Sequence, residues 1–300
     1  MTWNGITMFS RDDINVRHTP VMVPVQTSMH GVIDQVRKDL VIRIPLRLWG
    51  AWENLATLFP ATVLTPRIGT RIFGTTDVPL VLASNNGGST GDTMTYHNAQ
   101  LTRLANLYLG VDAPIFAADV EFTALIRNNT APTNAAAYFT SAIGVAYSDA
   151  TFVKTNFKQQ VYSGVWGAVG GFTAIQAKLG WNIEWELGLE PEYVDGVGTV
   201  DMILTDFLGR ARCIPIEATM AQITAASKLQ DSGGGPGSLL SLSAADLVLT
   251  GTGVSVTLKN AGMTDHGMSW GMTPLRNGEV AWETTVAISS GTAAARAVIS

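Results

Sequence analysis

Residues 40–48 read Leu-Val-Ile-Arg-Ile-Pro-Leu-Arg-Leu, and apolar side chains occupy every second position. An alternation of period two is typical of a β-strand with one buried face. Pro45 has no backbone N–H to donate to a sheet, which favours an edge or a bulge there. The stretch therefore predicts a half-buried strand whose polar face carries Arg43 and Arg47.

Strand patterns continue in both directions from this segment. Val78–Ala83 and Thr93–His97 flank Asn85-Asn86-Gly87-Gly88, which predicts a hairpin with a loose loop. Further strands are predicted at 120–124, 183–187, 200–204, 210–216, 247–249, 255–258 and 280–286. The sequence Asp206-Phe207-Leu208-Gly209 predicts a turn between two of them.

Helical patterns are few. They cover Trp49–Phe59, Asn134–Thr140 and Glu217–Leu229. Many short strands, Gly-rich turns and little helix predict a mainly β protein built from β-sandwich or barrel units, with one or two short flanking helices.

Two parts of the chain repeat one another. Y-H-N-A-Q-L-T at 96–102 corresponds to L-K-N-A-G-M-T at 258–264, an offset of 162 positions. D-V-E-F-T at 119–123 corresponds to E-V-A-W-E at 279–283, an offset of 160. Similar segments at a nearly constant spacing are the signature of an internal repeat.

The repeat predicts a domain organisation. An N-terminal arm occupies residues 1–30, and two tandem copies of one β domain occupy 31–150 and 151–300. In this prediction the strand 37–48 of the first copy corresponds to 177–187 of the second. Chance similarity between two β-hairpins is the alternative.

Charge is scarce in this chain. Charged residues make up 14% of the 300 positions, whereas about 25% is usual. The surface of a well-solvated small domain is about 25–35% charged, so we expect much of the surface to be buried against other chains. The net charge is −5, and no basic stripe is present, which argues against tight binding to nucleic-acid phosphates.

The two predicted copies differ on one strand face. Arg43 and Arg47 occupy it in the first copy, and Glu184 and Glu186 in the second. If copies alternate around a ring, these strands could lie side by side with opposite charges, which would help to fix their register. Two ordinary solvated faces are the alternative.

Motifs for catalysis are weak. Gly267-Met268-Ser269-Trp270-Gly271 matches the G-x-S-x-G pattern of a hydrolase nucleophile, but no helix pattern follows it and little chain remains for a downstream histidine. The carboxylates from Glu184 to Glu192 could form a paired acid/base site. A solvent-exposed strand face is the favoured interpretation. We therefore predict no catalytic residues and no enzymatic activity.

Metal, cofactor and membrane signals are also missing from the sequence. Cys213 is the only cysteine, so neither an intrachain disulfide nor a cysteine-based zinc site is expected. The four histidines form no metal-binding spacing, and no phosphate-binding loop is present. We predict no metal, no cofactor, no membrane-spanning segment and no secretory signal.

Several longer stretches carry a family resemblance. The strand 37–48 leads into W-G-A-W-E-N-L-A-T-L-F-P at 49–60, followed by R-I-G-T-R-I-F-G-T-T-D-V-P-L-V-L at 67–82. M-T-Y-H-N-A-Q-L-T-R-L-A-N-L-Y-L-G follows at 94–110, and A-P-I-F-A-A-D-V-E-F-T-A-L-I-R-N-N at 113–129. These stretches resemble the tail tube (major tail) proteins of long-tailed bacteriophages, with a weaker echo across 175–290.

The resemblance implies a structural virion protein made in the host cytoplasm. Such proteins place a β-sandwich or barrel beside a helix and donate strands to a continuous inner β-barrel, and their rings stack into a hollow tube through which DNA is delivered. The partners are then other copies of the chain and other tail proteins, while DNA passes without specific binding. Residues 1–30, 84–93 and 289–300 are the positions that the resemblance suggests for ring stacking.

The repeat refines the expected stoichiometry. A chain with two copies would make a pseudo-hexameric ring from three subunits, and a ring of six chains is the alternative. Other structural components of a phage remain open, namely a distal tail protein, a tail terminator or a capsid decoration protein. A serine hydrolase using Ser269 and a surface adhesin are the remaining candidates.

Overall fold

The computed structural model describes most of the chain as β-structure. The described residues are 1–10, 13–49, 68–73, 77–85, 89–109, 117–126, 137–146, 163–167, 175–216, 245–251, 254–269, 276–284 and 297–299. They contain strands and turns but no helix. The predicted mainly β class is therefore confirmed for this part of the chain.

Seventeen strands make up the described structure. In the first half they are β1 (Thr2–Trp3), β2 (Ile6–Thr7), β3 (Phe9–Ser10), β4 (Arg17–Thr27), β5 (Gly31–Trp49), β6 (Leu80–Asn85), β7 (Thr90–Tyr96), β8 (Ala99–Leu109), β9 (Ala117–Ala124) and β10 (Phe139–Ala146). In the second half they are β11 (Ser163–Trp166), β12 (Ile175–Val194), β13 (Gly198–Pro215), β14 (Ala245–Gly251), β15 (Val254–Ser269), β16 (Arg276–Thr284) and β17 (Ala297–Ile299).

The second half closes into a six-stranded antiparallel barrel. Its strands follow the order β11-β14-β15-β16-β13-β12, and pairing of β11 with β12 completes the circle. Four tryptophans are fully buried in the hydrophobic core: Trp166, Trp181, Trp185 and Trp282. Because large aromatic rings bury much apolar area, they dominate the packing of this barrel.

The first half continues the same long sheet from β12 through β8, β9 and β5. β4 pairs with β5 along eleven residues, and β3 pairs with its far end. A separate five-stranded sheet has the order β10-β7-β6-β1-β2. One cluster of buried apolar side chains spans both halves, because residues from Trp3 to Trp282 belong to it.

The strand predictions are largely confirmed. Leu40, Ile42, Ile44, Leu46 and Leu48 are all buried in β5, as the alternation indicates. The predicted hairpin is formed by β6 and β7, which pair from Leu80 opposite Tyr96 to Asn85 opposite Gly91.

Two local predictions are wrong. Residues 206–209 form no turn, because β13 runs unbroken through them and the chain instead turns at 195–197. Phe139 and Thr140 belong to strand β10 rather than to a helix. Trp49 likewise ends β5, and the rest of the predicted helices, at 50–59, 134–136 and 217–229, lies outside the described residues.

The segment predicted as an arm, residues 1–30, contains four strands. Trp3 is 2% exposed and packs edge to face on Phe122, with ring centroids 5.3 Å apart. Arg17–Thr27 forms a hairpin with β5, and every residue of that strand is exposed. The beginning of the chain therefore supplies both core residues and a surface strand.

Candidate assembly surface

The polar face of the long sheet carries the four residues predicted for a lumen or a subunit seam. Arg47 donates from Nε to Asp119 Oδ1 at 2.6 Å, and Arg43 lies 4.0 Å from Glu121. Both carboxylates belong to β9, the strand beside β5. The two arginines are therefore balanced by their own neighbouring strand.

Glu184 and Glu186 find cationic neighbours elsewhere. Glu184 lies 3.8 Å from Arg212 on β13, and Glu186 stands opposite Arg103 of β8 in the register. Strands β8 and β9 separate β12 from β5, so the chain does not bring the two glutamates beside Arg43 and Arg47.

This polar face is concave where β4 and β5 approach β12, and its charges nearly balance. It surrounds a hollow of about 990 Å³ whose walls include Arg43, Arg103, Glu121 and Glu186. The charged residues of the face and its hollow are Arg17, Lys38, Arg43, Arg47, Arg103, Arg210, Arg212, Asp39, Asp119, Glu121, Glu184, Glu186, Glu279 and Glu283. Ion pairs this exposed contribute about 0–1 kcal/mol each, so their main effect is to balance the charge of the face.

One of these pairs has favourable geometry. Arg210 donates from Nε to Glu283 Oε1 at 2.7 Å across β13 and β16. The hydrogen bond with Glu283 raises the pKa of Arg210. The arginine therefore stays charged, and the face keeps alternating signs across neighbouring strands.

The halves meet first along an edge-to-edge strand seam. β8 of the first half pairs antiparallel with β12 of the second, with Leu107 opposite Ile183, Leu104 opposite Trp185 and Arg103 opposite Glu186. Backbone pairing of this kind joins two sheets into one and is the usual way in which exposed strand edges associate.

The halves also meet at the turn between β12 and β13. The backbone N of Thr199 donates to Asp39 Oδ1 at 2.9 Å, and its hydroxyl donates to Oδ2 at 2.6 Å. Gly198 has a φ of +106°, and a Cβ there would lie 2.5 Å from Asp39 Oδ1. Only glycine therefore allows the turn to approach the carboxylate this closely.

A third contact covers the edge of β13. Leu204 N donates to Thr70 O at 2.9 Å, and Ile72 N donates to Met202 O at 2.9 Å. A separate apolar cluster seals this contact; its buried members are Ile72, Phe73, Leu125, Met202 and Leu204. The β12–β13 hairpin is thus held by the first half at its edge and at its turn.

A buried carboxyl lies beside that cluster. Asp201 is 4% exposed and accepts hydrogen bonds from Phe73 N at 3.0 Å and from Met202 N at 2.7 Å. Removal from water disfavours its charged form, which raises the pKa of Asp201.

Each half contains an equivalent tryptophan hydrogen bond. Trp3 Nε1 donates to Ala99 O at 2.9 Å in the first half, and Trp166 Nε1 donates to Ala261 O at 2.8 Å in the second. Each ring also packs edge to face on another aromatic residue: Trp3 on Phe122 of β9, and Trp166 on Trp282 of β16.

The halves also share a backbone feature beside that bond. Asn98 and Asn260 both adopt the left-handed conformation, with φ of 44° and 47°. Asparagine tolerates this region better than most residues do. The backbone N of each asparagine donates to an aspartate: Asn98 N to Asp77 Oδ1 at 2.7 Å and Asn260 N to Asp246 Oδ1 at 3.1 Å.

The same bulges follow in both halves. The pairing of β8 with β9 shifts between Leu101 and Arg103 and again between Leu104 and Asn106. The pairing of β15 with β16 shifts between Met263 and Asp265 and again between His266 and Met268. These positions correspond at the constant offset of 162 that the sequence shows.

The hairpins correspond in a way that the sequence prediction missed. β5 lies beside β9, and β13 lies beside β16, so β5 and β13 hold equivalent places in the sheet, a match that differs from the predicted one with 177–187. In both strands aspartates accept from the next backbone amide; the four are Asp34, Asp39, Asp201 and Asp206. Gly31, Asp34, Asp39 and Arg43 match Gly198, Asp201, Asp206 and Arg210 at an offset of 167, a signal that was available in the sequence.

The chemical motifs gain no support from the fold. Met268 and Ser269 pair with Asn277 and Arg276 in an antiparallel hairpin, which is not the strand-to-helix elbow of a hydrolase. Cys213 is 3% exposed, and burial raises the pKa of its thiol. Across the described ranges, no three His, Cys, Asp or Glu side chains cluster in a way that could hold a metal.

The described residues include no helix with the length and hydrophobicity needed to cross a membrane. Comparison of the sequence with protein-family models gives no match, and comparison with curated proteins gives none either.

Proposed function

We propose that this protein is a self-assembling structural subunit of a phage tail tube, whose stacked rings form the conduit for DNA delivery. The observation that carries the proposal is the seam between β8 and β12, where two similarly built halves join through strand edges. The corresponding edges, β4 and residues 262–269 of β15, have no second strand neighbour among the described residues.

The proposal treats the halves as copies of one unit. The matching tryptophan bonds, the left-handed asparagines and the paired bulges support this, because unrelated hairpins would not repeat such details at one constant offset. A chain that already joins two copies edge to edge has the means to join more.

The free edges favour head-to-tail association. Two different surfaces that fit one another form rings when the rotation between subunits closes. Three chains would supply six copies, so we favour a trimeric, pseudo-hexameric ring, with a ring of six chains as the alternative. The inner wall would then be a continuous β-barrel.

The concave polar face suits the lining of such a conduit. Its carboxylates balance its arginines, among them Arg43, Arg47, Glu184 and Glu186. Tight DNA binding requires an excess of positive charge to displace counterions from the phosphates. A balanced wall would let DNA pass without holding it.

Negative-stain microscopy of the purified protein tests the proposal. We expect long tubes with an axial repeat, and a mass per ring that corresponds to three chains. Single rings without tubes would favour a distal tail, tail terminator or capsid decoration protein. A monomer that remains monodisperse at high protein concentration would contradict every assembly role.

A further inference from the structure

The hairpin formed by β4 and β5 exposes an apolar surface where it turns. Its large exposed side chains are Val21, Met22, Val23, Val25, Met29, Val32, Ile33 and Val36. Met29 is 85% exposed, and Val32 and Ile33 are 53% and 55% exposed. So many exposed large apolar side chains on one hairpin favour an interaction site.

The second half shows what covers such a hairpin. At the offset of 167, Val32 and Ile33 correspond to Thr199 and Val200. Thr199 is 1% exposed and Val200 is 5% exposed. The start of β13, from Gly198 to Met202, is buried because the first half packs against it, whereas Val32 and Ile33 stay exposed among the described residues.

We propose that the β4–β5 hairpin docks onto the second half of another copy of this chain, repeating the contact that joins the two halves internally. In the contact between two molecules, Asp206 takes the place that Asp39 has in the internal contact, and it faces the turn of the incoming β4–β5 hairpin. The inference rests on the proposed function, because it names the surfaces through which the ring would close.

The internal seam predicts the register of this contact. β12 pairs with β8 so that Ile183, Trp185 and Glu186 face Leu107, Leu104 and Arg103. Subtracting 167 from the residue numbers of β12 gives the matching positions of β4, and adding 162 to those of β8 gives the matching positions of β15. The seam then places β4 of one molecule on the free edge of β15 of its neighbour. The expected partners are Val16 with Ser269, His18 with His266, and Thr19 with Asp265.

Charge is consistent with this register. Asp265 and Arg17 are both exposed. With Thr19 opposite Asp265, Arg17 becomes the diagonal neighbour of that carboxylate, within reach of its long side chain. The cross-strand contact would therefore pair opposite charges, as Arg103 and Glu186 do in the internal seam.

Cysteine cross-linking tests the register directly. Cys213 is buried and the pKa of its thiol is raised, so it does not compete. In one chain six strands separate β4 from β15, roughly 30 Å along the sheet. A disulfide needs Cα atoms within about 7 Å. A bond between positions 19 and 265 that joins two molecules raises the mass on a denaturing gel, whereas a bond within one chain does not.

We expect oxidised T19C/D265C to run on a denaturing gel as covalent dimers and trimers, and to return to monomer on reduction. Q26C/D265C is the matched control, because position 26 lies about 23 Å along β4 from the expected partner. It should give no ladder. Equal ladders from both variants would overturn the register.

Amide hydrogen exchange provides a second measurement that needs no variant. On assembly of the wild-type protein we expect slower exchange at residues 17–27 and 262–269, since both edges gain backbone hydrogen bonds. Unchanged exchange at both segments in an assembled sample would overturn the docking.

The outcomes separate this inference from the proposed function. Tubes that form without the 19–265 cross-link and without protection would leave the tube role standing and overturn the docking. Cross-linked trimers that never stack would support the docking and contradict the tube role. A wild-type chain that shows neither assembly nor cross-linking would contradict both.

Discussion

Thr199 donates two hydrogen bonds to Asp39, from the backbone N at 2.9 Å and from the hydroxyl at 2.6 Å, although 160 positions separate them in the chain. Leu40 N donates to the same carboxylate at 2.8 Å. Both partners of the long-range contact are buried, with exposures of 1% and 5%. One carboxylate thus satisfies three donors where the halves meet.

Removal of that carboxylate should loosen the joint between the halves. Hydrogen bonds to charged groups contribute about 1.5–3 kcal/mol, and a buried donor left without an acceptor costs about 1–3 kcal/mol. We expect Asp39→Ala to lower the free energy of unfolding by about 3 kcal/mol and Asp39→Asn by less, as measured by urea denaturation of the dissociated chain.

Asp206 provides the matched control for this prediction. It is exposed and accepts from Phe207 N at 2.8 Å. Asp206→Asn should leave the stability of the dissociated chain within about 0.5 kcal/mol of wild type. Equal losses for Asp39→Asn and Asp206→Asn would mean that the contact with Thr199 contributes little.

The two tryptophan hydrogen bonds should have similar energies. Trp3→Phe and Trp166→Phe each leave a buried carbonyl, Ala99 O or Ala261 O, without its indole donor. With the lost volume, we expect each to cost about 2–3 kcal/mol in unfolding free energy. Costs that differ by more than about 2 kcal/mol would contradict equivalent roles in two copies.

Local sequence pattern predicts the strands but not their long-range partners. The alternation from Leu40 to Leu48 indicates the buried face of β5 because period two depends only on neighbours in sequence. The pairing of β8 with β12 joins residues about 80 positions apart, and no local pattern encodes such a choice. The seam therefore emerges only from the structure.

Gly209 shows why the turn prediction failed. Its N donates to Thr284 Oγ1 at 3.0 Å, and a Cβ at this position would lie 3.1 Å from the Thr284 methyl. The glycine thus permits close packing of β13 on β16 rather than a reversal of the chain. A glycine inside Asp-Phe-Leu-Gly is ambiguous between these two roles when only the sequence is known.

The lumen or inter-subunit strand face stays a prediction, and within one chain its four residues have other neighbours than the sequence suggests. Arg43 and Arg47 share one polar face with Glu184 and Glu186, yet each finds its counter-charge on an adjacent strand of the long sheet. The expected correspondence of 37–48 with 177–187 rested on the position of both strands upstream of the repeated segments. The correspondence that the structure supports follows Gly31, Asp34 and Asp39.

Asp201 should make stability depend on pH. Burial raises its pKa in the folded state, so its folded carboxyl holds a proton more tightly than the unfolded one. Its contribution to stability is therefore greatest below the unfolded pKa, about 3.9, and falls as the pH rises through the folded pKa. Asp201→Asn cannot ionise at this position. Its urea midpoint should therefore rise relative to that of wild type between pH 4 and pH 7. A constant difference across that range would contradict this.

Ser269 should have no nucleophilic role. It pairs with Arg276 in an antiparallel hairpin, whereas a hydrolase serine sits on a sharp turn before a helix. We expect wild type and Ser269→Ala to hydrolyse an activated ester at the same background rate. A wild-type rate well above that of Ser269→Ala would support the hydrolase alternative.

Charge balance on the concave face should decide whether tubes hold DNA. Glu184→Gln/Glu186→Gln removes two negative charges opposite Arg212 and Arg103, so the face acquires an excess of arginine. Lys and Arg contacts to phosphate give binding that weakens steeply as salt rises. We therefore expect tubes of this variant to retain a labelled DNA duplex at low salt and to release it at high salt, in a pelleting assay. Ser141→Lys/Ala142→Lys changes the net charge by the same amount at exposed positions of β10, outside the long sheet. If this control retained as much DNA as the glutamine variant, net charge would govern retention and the concave face would have no special part in it.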